Sequence, residues 1–126
     1  MAINLKKLSR KNPRDMSRSK WYLTQATSGT ITLKELAREI EKQTAMTYAD
    51  ISSVLISLTE LLTKNVKAGQ IVRLGDFGSF RISVSSEGTE TPEELTTRHV
   101  KNARILFAPG AEMKTELRAA SYTIVS

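Results

Sequence analysis

From Thr47 onward, apolar residues recur at helical spacing. Ile51, Val54, Leu55, Leu58, Leu61, Leu62 and Val66 form one broad stripe. Thr47 followed by Asp50 reads as an N-cap, and Gly69 is placed to end the helix as a C′ residue. The predicted helix has about 20 residues and runs roughly 30 Å. Its stripe is wider than one short helix covers, so something else must bury it, and a second copy of the chain is one candidate. A shorter helix precedes it. Thr32 and Glu35 have capping-box spacing, and Leu33, Leu36, Ala37 and Ile40 supply its apolar face before "KQTAMT" breaks the pattern.

The period then changes from helical to alternating. Strands are predicted over Ile71–Leu74, Ser79–Val84 and the segment "NARILFA". Glycines in "VRLGDFGSF" interrupt the first two, and two readings stand: a bulged hairpin turn, or a place where backbone comes close to something large. The polar stretch "SSEGTETPEELTTR" reads as an exposed loop or hairpin tip. "PGAEMKTELRAA" predicts a last helix with Met113, Leu117 and Ala120 on one face. At the N-terminus, residues 1–12 are basic with Ile3, Leu5 and Leu8 at strand-like positions, Asn12–Lys20 reads as a loop, and "WYLTQATSG" reads as a short strand or extended arm. "SYTIVS" closes the chain as a strand. Ile3, Leu5, Tyr122 and Ile124 alternate, which predicts that the two ends pair as strands on or beside the body. The order is ααβββα with strand-like segments at both termini, an α+β class.

Charge changes this picture because of where it sits. The net charge is +6. Residues 1–29 hold seven basic side chains (Lys6, Lys7, Arg10, Lys11, Arg14, Arg18, Lys20) against one acid, Asp15, while the rest carries twelve of each sign. A polyanionic partner is implied, and the first quarter of the chain implies it. The cluster reads as a phosphate-binding segment or as a solubilising terminus. Trp21 and Tyr22 are expected to pack on the body, with stacking on bases as the alternative.

The remaining chemistry is sparse. There is no cysteine, and the one histidine, His99, cannot form a metal site alone. No nucleophile–base pair, P-loop spacing or calcium-loop spacing is present, so no enzyme, metal or cofactor is expected. No apolar h-region follows the basic start and no membrane-length run occurs, so a soluble intracellular protein is expected.

Taken in order, "VRLGDFGSFRI", the helix pair before it and "RILFAPGAEMKTEL" after it resemble the HU and integration host factor family of bacterial DNA-binding proteins. That family has a two-helix start, a strand entering a GFG-x-F turn, a long β-arm, and a strand ending in F-x-PG before the last helix. Here the turn is Phe77-Gly78-Ser79-Phe80 and the closing motif is Phe107-Ala108-Pro109-Gly110. The resemblance covers roughly Thr30 to Ala120, and the long N-terminus is similar to an HU-related branch that carries such an extension.

The resemblance implies an HU-like α+β fold: two N-terminal helices, a three-stranded antiparallel sheet with a β-arm, and a C-terminal helix, in an intertwined homodimer. It implies duplex DNA as partner, bound with little sequence preference through phosphates and the minor groove, with a proline at each arm tip wedged between base steps. A nucleoid-associated, cytoplasmic protein follows, with no membrane and no small-molecule substrate. The expected organisation is a basic extension over 1–29, an HU-like domain over 30–120 with its arm at about 83–102, and a strand-like tail over 121–126. The expected DNA-binding residues are Arg73, Gly75, Gly78, Arg81, Pro92, Arg98, Lys101, Arg104 and Lys114, with the N-terminal basic segment beside them.

The chain also departs from the family. Asp76 stands where the first turn glycine is usual. The arm is short, and residues 83–100 carry Glu87, Glu90, Glu93 and Glu94 against Arg98. Ala111 and Glu112 follow the closing Pro-Gly where lysines are common. For Pro92, a plain loop proline and a DNA wedge both stand. The rival function is a dimerising protein-interaction module on the same fold, its DNA binding reduced by the acidic arm. A third reading joins the two: the N-terminal segment binds DNA while the arms do something else.

Overall fold

Local capping fixes the helices. Thr47 Oγ1 accepts from the Asp50 amide at 3.2 Å, and α2 runs from Tyr48 to Lys67. Thr32 Oγ1 does the same for Glu35 at 3.2 Å, opening α1 (Leu33–Gln43). The helices are joined by more than a short loop. Glu41 accepts from the Tyr48 amide at 3.1 Å, and the Arg38 guanidinium lies 3.8 Å from the centre of the Tyr48 ring. A free N–H at the start of α2 is thereby satisfied by a side chain of α1. Gly69, at φ 87°, ends α2, with its amide and that of Gln70 returning to Val66 and Asn65 carbonyls.

The computed structural model describes residues 2–125. Met1 and Ser126, the outermost residues of the predicted N-terminal extension and C-terminal tail, lie outside the described residues. The chain divides into two units. One is Thr32–Thr115. The other joins Met1–Ile31 to Glu116–Ser126.

The first unit holds α1, α2 and an antiparallel sheet. Its strands are β3 (Val72–Leu74), β4 (Gly78–Ser86) and β5 (Val100–Pro109), in the order β3-β4-β5. The start of the last helix, α3 (Ala111–Arg118), also belongs here. The β4–β5 hairpin ends in two short 3₁₀ turns, Pro92–Glu94 and Thr97–His99. His99 Nδ1 accepts from the Thr96 amide at 3.0 Å, so this histidine caps a turn at the arm tip.

Phe77 and Phe80 both stack on Phe107, with ring centres 5.1 and 5.0 Å apart. This cluster ties the glycine turn to β5, and Gly78 makes it fit. A Cβ there would lie 2.6 Å from the Phe107 ring and 2.5 Å from the Ala108 carbonyl, and φ is +155°. Gly78 therefore has a packing reason of its own. The turn glycine Gly75 faces open space.

The second unit corrects one sequence expectation. Asn12–Lys20 is not a loop. β1 (Ala2–Asn12) and β2 (Asp15–Gln25) form a long antiparallel hairpin, and only Pro13 and Arg14 turn. Asn12 Oδ1 accepts from the Arg14 amide at 2.9 Å, and Asp15 Oδ1 from the Ser17 amide at 3.1 Å and hydroxyl at 2.6 Å. Such Asx bonds substitute for ladder bonds at a tight turn. β6 (Ser121–Ile124) runs parallel to β1, giving a sheet ordered β2-β1-β6.

Little of this chain is buried. Ala37, Ile51 and Val66 are its fully buried apolar residues among those described. The accessible surface is 10832 Å² for 14.0 kDa. A self-contained globule of that mass would leave about 6,700 Å². Much of α2's stripe stays in water: Val54, Leu58 and Leu61 are 57, 40 and 54% exposed. Among the described residues, no helix is long and apolar enough to cross a membrane.

Candidate nucleic-acid interface

Strand register places the arginines. Opposed residues of an antiparallel pair share a face, and neighbours along a strand alternate. β3 pairs with β4 through Val72↔Phe80 and Arg73↔Ser79, and β4 with β5 through Arg81↔Leu106, Ile82↔Ile105 and Ser83↔Arg104. One face thus carries Val72, Phe80, Ile82, Ile105 and Phe107. A cavity of about 230 Å³ between this face and α2 is lined by Leu62, Thr63, Val66, Lys67, Ile82 and Ile105, and also by Ala103 and Arg104 of β5. The other face carries Arg73, Arg81 and Arg104, interleaved with Ser79, Ser83 and Asn102.

The three arginines come one from each strand and step diagonally across the sheet. Diagonal neighbours lie about 7–8 Å apart. At that spacing each adjacent pair repels by about 0.6 kcal/mol in water. Among the described residues, the ion pairs are Arg18–Asp15 and Arg38–Glu41, and neither involves this face. The arrangement is a cationic stripe with small hydroxyl and amide donors between the charges, suited to a row of phosphates. Ser79, Ser83 and Asn102 were not singled out from sequence. Their signal was the same alternation, readable only once the register was fixed.

The other expected residues lie elsewhere. Gly75 and Gly78 bracket the β3–β4 turn. Lys101 is the extra residue at the β4–β5 irregularity, where the register shifts after Ser85. Pro92 starts the first 3₁₀ turn of the arm tip and Arg98 lies in the second. Both are exposed, as are Glu87, Glu90, Glu93 and Glu94 around them. Lys114 is exposed on α3 and its amide donates to the Gly110 carbonyl.

The N-terminal basic residues divide by the same rule. Lys6, Arg10 and Lys20 share one face of the hairpin with Tyr22, because Arg10 opposes Lys20 and Leu8 opposes Tyr22. Lys7 shares the other with Trp21 and Leu23. Arg14 sits in the turn, and Arg18 pairs with Asp15 at 3.5 Å. The expectation that both aromatics pack away fails: Trp21 is 72% and Tyr22 49% exposed. A strand residue at the outer part of a two-stranded ribbon has only its own ribbon to pack against.

The Ser17 hydroxyl, and next its amide, hold the Asp15 carboxyl below its ordinary value of 3.8. A depressed folded-state pKa contributes stability above the unfolded value, and that contribution is lost as pH falls through the folded one. The Ser17 amide resonance is expected to titrate with a midpoint below 3.8. A midpoint at or above that value would remove Asp15 from its role in the turn.

Comparison with known proteins bears on the fold and the family. A chain from Bacteroides vulgatus ATCC 8482, provisionally assigned as a bacterial DNA-binding protein and solved at 2.25 Å, superposes with a TM-score of 0.66 at 9% identity. The match covers 98% of this chain and 48% of that one, so this chain spans about half its length. An Anabaena HU–DNA cocrystal structure superposes with a TM-score of 0.51 at 20% identity, covering 71% of this chain and 98% of that one. Both likenesses show the fold. No curated protein matches. Residues 1–123 match the model of one family, HU-HIG, an HU domain fused to a winged helix-turn-helix, an Ig or a glycine-rich motif. With a match over nearly its whole length, the chain belongs to that HU-type family.

Proposed function

We propose that this protein is an architectural DNA-binding protein that works as a homodimer in the nucleoid and binds duplex DNA with little sequence preference. The observation that carries the reading is the Arg73–Arg81–Arg104 face, exposed and without a carboxylate partner among the described residues, on an HU-like sheet. The Anabaena relative was solved with DNA, and the shared fold supports the same partner here. Phosphates bind the arginine face while the arms reach along the minor groove, with Pro92 at the tip. The exposed stripe of α2 is covered by the second subunit.

One observation favours a second reading. Four exposed glutamates surround the arm tip beside Arg98, the wrong sign for phosphate. In that reading the arm contacts a protein and the fold serves as an interaction module.

A short fluorescent duplex titrated with the full chain across a salt series separates the two. Six arginines per dimer, each on one phosphate, give a log–log salt slope of about −5. Absence of binding at low salt would reject the architectural reading and leave the interaction module.

A further inference from the structure

The tip of the β1–β2 hairpin holds a cleft of about 420 Å³ lined by Arg10, Lys11, Asn12, Pro13, Lys20 and Tyr22. Two features of it are unexplained by the fold. First, Arg10 directly opposes Lys20. Like charges facing across strands destabilise the pair, and the nearby acid, Asp15, is already engaged by Ser17 and Arg18. An anion between the cations relieves the repulsion. Second, the Tyr22 ring is half-exposed and the Arg10 guanidinium stands over it at 6.0 Å. That distance is long for a cation–π contact, at the limit of about 6 Å. Half-exposed and met by the guanidinium only at that limit, the Tyr22 ring is open to a flat stacking partner.

Anion and flat ring together specify a nucleotide. In a duplex both faces of each base are already stacked, so the ring must come from an unpaired base. We propose that the hairpin tip is a separate site for single-stranded DNA. One base stacks on the half-exposed Tyr22 ring beside Arg10, and a flanking phosphate lies between Arg10 and Lys20. Asn12 supplies amide hydrogen bonding at the edge. The site lies wholly in the terminal unit and does not depend on the duplex reading of the arginine face.

The test uses the full chain, a fluorescein-labelled ten-nucleotide oligo(dT), the same oligonucleotide with abasic sites, and a blunt duplex. The wild-type chain is expected to bind oligo(dT) about 5- to 150-fold more tightly than its abasic counterpart, the range for stacking of one base. Tyr22→Ala is expected to erase that difference without changing duplex affinity, and Tyr22→Phe to keep it. Trp21→Ala, on the opposite face of the same strand, is expected to leave it unchanged. Equal wild-type affinity for the thymine and abasic oligonucleotides overturns the proposal without any variant, because charge alone then explains binding. A Trp21→Ala loss equal to that of Tyr22→Ala overturns it as well. Failure of duplex binding with the thymine preference intact would reject the duplex reading alone.

Discussion

Replacing Arg81 and Arg104 together by Glu is expected to weaken duplex binding by two orders of magnitude or more. Each charge-assisted bond to phosphate contributes about 1.5–3 kcal/mol. Two substitutions in a dimer remove four such contacts and place four carboxylates against the backbone. The magnitude of the log–log salt slope is expected to fall by about 3.6, at 0.9 per lost contact. Folding is expected to survive, because both side chains are exposed and neither has a carboxylate partner among the described residues. Arg81→Lys with Arg104→Lys keeps the charges and is expected to retain most of the slope. Circular dichroism and equilibrium binding on the same preparations decide the matter. A doubly reversed variant that folds and binds duplex as the parent does would mean that DNA, if bound, sits elsewhere on the chain.

The helices were legible because their signals are local. Thr32 and Thr47 each act on an amide three residues away, and both caps form. The turn with its Phe-x-x-Phe and the closing Phe-x-Pro-Gly were legible as ordered motifs, and the family match agrees with them. The hairpin over Asn12–Lys20 was not, because both strands are polar there and apolar alternation fades. The signals present were turn chemistry, Asn12 before Pro13 and Asp15 two residues before Ser17, and their bonds do form. The packing reason for Gly78 was out of reach, since it depends on Phe107 far along the chain. Likewise, the common face of Arg73, Arg81 and Arg104 depends on two registers at once. A one-residue slip in either pairing would scatter them over both faces.

Substituting Leu58 and Leu61 by Asp is expected to cost the protein both its dimer and its cooperative fold. With Val54 these residues lie at i, i+4 and i+7 on α2, the spacing of a single exposed stripe. Burying a Leu side chain contributes about 1.5–3 kcal/mol, and a twofold dimer buries each stripe twice over. Burying an unpaired carboxylate instead reverses the sign and adds a desolvation penalty. What remains in one subunit is a core of Ala37, Ile51 and Val66, too small to offset the ordering entropy of the helix pair. The wild-type chain is expected to sediment at twice the 14.0 kDa of one chain and to melt at a temperature that rises with protein concentration. The double variant is expected to sediment as a monomer with a broad, non-cooperative melt. A wild-type chain that stays monomeric at micromolar concentration, with a melting temperature independent of concentration, would require the apolar stripe of α2 to be covered by something other than a second copy. The arms would then have no partner subunit with which to enclose a duplex.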